Sequence, residues 1–134
     1  MVFAVVTALV LVTGVVVVAI QVVAKRTMMV VSGAGRPEIR HACLACFSSP
    51  RWVPVSGLAV INMRRNGAGS RARSVVSVAI EDGTTGEHLV SAWLSRGDAW
   101  VHPADALTVH RIQARIRDAV YALPTSMPAK PAGR

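Results

Sequence analysis

Between Val2 and Ala24 the chain carries no charged residue, and its only polar side chains are Thr7, Thr13 and Gln21. At ~1.5 Å of rise per residue a helix over residues 2–24 reaches about 34 Å, enough to cross a hydrocarbon core of roughly 30 Å with modest tilt. Valine, abundant here, is a mediocre helix former in water. In lipid that matters little, because a helix satisfies its own backbone hydrogen bonds. The segment is therefore expected to be a single transmembrane α-helix. A cleaved signal peptide is the competing reading, since Val22 and Ala24 fit a small-residue cleavage pattern. Against it, Met1-Val2-Phe3 supplies no basic n-region, and the apolar run exceeds the ~7–15 residues of an ordinary h-region. A retained anchor is expected. Ala4 and Ala8 form one small-xxx-small spacing, and Gly14 a second point of close approach, a weak signal for helix pairing.

Every Lys, Arg, Asp and Glu of the chain follows Ala24, so the formal charge of +8 belongs wholly to the downstream part. Lys25 and Arg26 come directly after the apolar run, and Arg36 and Arg40 lie close behind, with Glu38 among them. Acidic residues count for little in setting orientation. The bias predicts an N-terminus outside and a C-terminal domain in the cytoplasm of a cell membrane. Arg far outnumbers Lys, with Val and Ala abundant, a usage expected of a GC-rich bacterial coding sequence.

Roughly 110 residues remain, enough for one small domain and not for two. The expected organisation is an anchor with its basic flank over 1–26, a linker over 27–51, a small α+β domain over 52–123 and a disordered tail over 124–134. The Gly and Pro residues of Ser32-Gly33-Ala34-Gly35-Arg36-Pro37 mark the linker. A short helix carrying two cysteines is possible over 38–50. Three strands are expected over 58–63, 75–80 and 89–94, with Val76, Val78 and Ile80 on one face. Turn chemistry in Asp82-Gly83-Thr84-Thr85-Gly86 joins the last two into an antiparallel meander, and Ala99-Trp100-Val101 is a candidate fourth strand. The period then changes. Pro103 suits a first helical turn, and Val109, Ile112, Ile116, Ala119, Val120 and Leu123 recur at helical spacing until Pro124. One C-terminal helix over about 104–123 is expected to lay this stripe on the sheet. A β-β-β-α order assigns no function by itself.

Two clusters have chemical potential. His41, Cys43 and Cys46 form a C-x-x-C pair preceded by a histidine, candidate ligands for zinc. A structural site needs a fourth ligand from His88, His102 or His110, and no second C-x-x-C is present. Redox chemistry is a further option; the simplest reading is two small thiols kept reduced in the cytoplasm. The second cluster is Arg64, Arg65, Arg71 and Arg73, set among small residues between two expected strands. Guanidinium groups there suit phosphates, whether of lipid headgroups or of a nucleic-acid backbone. The segment contains no aromatic ring for base stacking, and a solvated hairpin loop is its simplest reading. No G-x-S-x-G, phosphate-binding loop or H-E-x-x-H occurs, so the sequence nominates no catalytic residue. The sequence-level expectation is a membrane-tethered interaction module that binds a protein partner or anionic lipid. A nucleic-acid-binding domain at the membrane and a thiol or zinc protein are the alternatives.

Overall fold

A computed structural model describes residues 1–66, 74–96 and 103–125. The first helix, α1 (Val2–Ala24), is apolar all the way round, with a mean hydropathy of 2.9 over Val2–Val23 and none of its most apolar window buried within the protein. Its hydroxyls are satisfied internally: Thr7 Oγ1 donates to the Phe3 carbonyl and Thr13 Oγ1 to that of Leu9, each at 2.8 Å. The helix is long and apolar enough to cross a membrane.

Beyond it the chain builds a five-stranded antiparallel sheet and two further helices, in the order β1 (Met28–Ser32), α2 (Arg36–Ala45), β2 (Trp52–Pro54), β3 (Ile61–Arg65), β4 (Val75–Asp82), β5 (His88–Arg96) and α3 (Pro103–Tyr121). The spatial strand order is β1-β5-β4-β3-β2. The expected three-strand meander is present as β3, β4 and β5, β2 adds an unexpected strand at its edge, and the expected C-terminal helix follows.

The segment read as a linker is the main correction. Residues 28–32 form an edge strand, with Met28 opposite Ala92, Val30 opposite Val90 and Ser32 opposite His88. Residues 36–45 are a helix, so the folded unit begins at Met28 rather than at 52. The glycines and Pro37 do break the chain, but between two elements of the domain. Gly35 is the N-cap of α2 with Pro37 in its first turn, and the Ala34 N–H donates to Ser32 Oγ at 3.1 Å. A second correction concerns β3, which starts at Ile61; Leu58 is fully exposed, and residues 58–60 form the approach to the strand. The candidate strand at Ala99-Trp100-Val101 and most of the tail lie outside the described residues.

One face of the sheet supplies most of the core, although β4 is buried on both faces from Val75 to Val78. Val76, Val78 and Ile80 are buried, as are Val30, Val90, Ala92 and Ile61 on the neighbouring strands. Against them α3 lays Val109, Ile112, Ile116 and Val120, at the spacing of one helical face, while Ala106 packs separately with Ile20 and Leu94. Helix α2 contributes Ile39 and Cys43, one turn apart, and Phe47 follows, its ring edge-on to Trp52 with centroids 5.1 Å apart. The β4–β5 turn closes through Gly83 N–H donating to the Glu87 carbonyl at 2.7 Å. It passes through Gly86 at a φ of 87°, a left-handed conformation that glycine adopts without steric cost.

Candidate functional site

The strand register fixes what lies near α1. Helix α1 ends at Ala24 and β1 begins at Met28, so the start of β1 marks the anchor-proximal end of the sheet. Because neighbouring strands alternate in direction, that end also holds the end of β5, the start of β4, the end of β3 and the start of β2. The pairs Met28–Ala92, Val75–Arg96, Arg64–Val75 and Trp52–Arg65 trace it across the sheet. Helix α3 begins there too, its first turns lying against the last turns of α1.

This geometry gathers basic residues from distant parts of the sequence. Lys25, Arg26, Arg51 and Arg64 are all exposed at the proximal end. The Arg51 carbonyl accepts the Asn66 N–H, which ties the start of β2 to the point where the chain leaves β3. The chain rejoins the sheet at Ser74, whose carbonyl accepts the Arg65 N–H at 3.4 Å. Of the four arginines singled out from sequence, Arg64 is exposed. Arg65 is engaged in a mostly buried ion pair with Asp105 of α3. Arg71 and Arg73 lie outside the described residues. Sequence reasoning did not include Arg51, because only the β2–β3 pairing brings it beside Asn66.

Acidic groups concentrate at the opposite end. Glu81 and Asp82 finish β4, Glu87 precedes β5, and Glu38 lies in the first turn of α2. Of these, Asp82 is the one held in ion pairs among the described residues. Arg36 reaches Asp82 at 3.4 Å and also donates to the Ile80 carbonyl at 2.9 Å. His88 bridges the Ala34 carbonyl, 3.0 Å from Nδ1, and the Asp82 carboxylate, 3.2 Å from Nε2. The end of the sheet that meets α1 therefore exposes basic side chains, and the far end carries Glu38, Glu81, Asp82 and Glu87.

The thiol cluster is arranged differently. Cys43 faces the core, and burial, reinforced by the neighbouring Cys46, pushes its thiol up to about 12. Burial also raises Cys46, opposed by the positive field of Arg115, and its thiol donates to the Ala42 carbonyl at 3.4 Å. Both cysteines are free. His41 is exposed on α2 beside Arg36, Arg40 and Leu44, away from the buried Cys43. His88 is held at the distal end and His110 borders α1, while His102 lies outside the described residues. Among the described residues no group of three or more His, Cys, Asp and Glu side chains is placed to hold a metal ion.

A buried polar side chain of α3 reaches the segment that follows α1. Gln113 of α3 donates through Nε2 to the Arg26 carbonyl at 2.7 Å and to the Ala92 carbonyl at 3.1 Å. Its two hydrogen bonds link the α1–β1 connection, the sheet and α3. No known family model matches this chain, and no curated protein matches it significantly.

Proposed function

We propose that this is a single-pass membrane protein whose small cytoplasmic α+β domain docks its anchor-proximal end on anionic lipid headgroups. The observation that carries the reading is that four basic side chains from distant parts of the sequence, Lys25, Arg26, Arg51 and Arg64, are exposed together at the end where α1 enters. A polybasic surface next to an anionic leaflet gains about 1 kcal/mol per Lys or Arg near it. The Arg65–Asp105 pair supports the same orientation, because it leaves no unpaired carboxylate on the first turn of α3 to oppose the headgroups.

The test uses the full chain in nanodiscs of phosphatidylcholine alone and of phosphatidylcholine with phosphatidylglycerol, followed by hydrogen exchange. Amides of residues 49–66 are expected to exchange more slowly on the anionic discs at low salt. The protection should disappear in the Arg51→Glu/Arg64→Glu double variant and fade as salt rises. Equal exchange on the two lipids would remove the headgroup reading.

A further inference from the structure

We propose that the groove between α1 and α3 takes a phospholipid acyl chain from the surrounding bilayer. This rests on the placement of α1 in a membrane and is independent of headgroup charge. One wall is the surface of α1 at Val16, Ala19, Ile20 and Val23, and the other is the start of α3 at Ala104, Ala106 and Leu107, with His110 at its margin. The floor is closed where Ile20 and Leu94 pack on buried Ala106. The rim is open, since Val16 and Leu107 are each 50% exposed and Val23 is 40% exposed.

Three physical points select the occupant. The first is depth. Val2–Val23 spans 22 residues, about 33 Å of helix against a hydrocarbon core of roughly 30 Å. When α1 fills that core, the stretch from Val16 to Val23, about 10 Å long, lies within it or at its boundary. Contact with α1 then carries Ala104 and Leu107 to the same level, the depth of about 5–10 Å at which interfacial helices bury their apolar faces. The second is chemistry. The lining is hydrocarbon apart from His110, and water in such a groove would find almost nothing to hydrogen-bond. The third is size. The groove holds about 560 Å³, within the roughly 300–1,000 Å³ of pockets that take small molecules. A flexible chain one methylene wide fits, and it is supplied by the same bilayer that surrounds the exposed face of α1.

The experiment reconstitutes the full chain in phosphatidylcholine nanodiscs doped with phosphatidylcholine carrying a diazirine on one acyl chain, then maps photo-adducts by mass spectrometry. Adducts are expected within residues 104–110 as well as on residues 2–15. Ala19→Phe, which fills the groove from the exposed α1 wall, should cut labelling of 104–110 several-fold and leave labelling of 2–15 unchanged. Ala104→Phe should do the same from the opposite wall, while Ala8→Phe should change neither. Labelling of 2–15 without 104–110, or labelling of 104–110 indifferent to both groove variants, overturns the proposal and leaves α1 in the membrane. Absence of adducts on 2–15 overturns the membrane placement together with it. Native mass spectrometry showing a dimer that Ala19→Phe converts to monomer assigns the groove to a second copy and also overturns it.

Discussion

The two long helices of this protein, α1 and α3, are similar in length and opposite in design. In α1 the apolar residues occupy every face and remain exposed, Leu9, Leu11 and Val15 among them. In α3 they are confined to a stripe, and Ile112, Ile116 and Val120 on that stripe are buried while Arg111, Arg115 and Arg117 stay at the surface. A water-soluble protein rarely exposes contiguous apolar surface beyond a few hundred Å². Helix α3 is stabilised by the sheet beneath it, whereas α1 leaves most of its apolar surface uncovered by the described residues. Between them Gln113 of α3 donates to the Arg26 carbonyl, two residues beyond the end of α1.

The largest expected effect separates the two designs directly. Ile116→Ala removes a fully buried side chain and should destabilise the domain by about 2–5 kcal/mol in denaturant titration. Leu11→Ala, on the exposed surface of α1, should leave domain stability within about 0.5 kcal/mol. The converse substitution acts on α1. Leu11→Arg places a charge mid-span, where insertion costs about 2.5–3.5 kcal/mol, and should lower the membrane-integrated fraction in an insertion assay without changing the domain's spectrum. Equal sensitivity of the two helices to either change would break the comparison.

A smaller effect is expected at the junction. Gln113→Leu leaves the Arg26 and Ala92 carbonyls without their amide donor and should cost about 1–3 kcal/mol. Faster hydrogen exchange of residues 26–32 should accompany it, which a change confined to the α3 core would not produce.

The smallest effect sharpens the account of the core. The folded state holds Cys43 as a neutral thiol, with a pKa raised from 9.0 to about 12 by burial. The folded state therefore binds its proton more tightly than the unfolded chain. The associated stability is fully present below about pH 9 and is lost as pH rises toward about 12. Cys43→Ala, costing about 1 kcal/mol at neutral pH, should flatten that alkaline decline. An unchanged slope in thermal melts between pH 9 and 11 would show that Cys43 does not contribute to it.

Much of the architecture was legible because it is written in short-range periodicity. The period of two in Val76, Val78 and Ile80 and the period near 3.6 in Val109, Ile112 and Ile116 each declare one buried face. Strand β1 escaped notice for the opposite reason: its partner β5 lies some sixty residues away, and four apolar residues directly after an apolar helix show no alternation of their own. Helix α2 was legible only as a short helix around the cysteines, its role in joining opposite edges of the sheet depending on where β1 and β2 sit. Of the candidate site, Arg64 was visible as a member of a basic cluster. The engagement of Arg65 by Asp105, forty residues on, was not.

The sequence by itself determined the apolar helix, the meander, the C-terminal helix and the confinement of charge beyond Ala24. Each of these depends on the identity of neighbouring residues along the chain. Only the tertiary structure decided that Lys25, Arg26, Arg51 and Arg64 share one end of the domain and that Glu38, Glu81, Asp82 and Glu87 lie at the other. The physical reason is that antiparallel pairing reverses the chain at each strand, so charges far apart in sequence fall at the same end only once register and strand order are set.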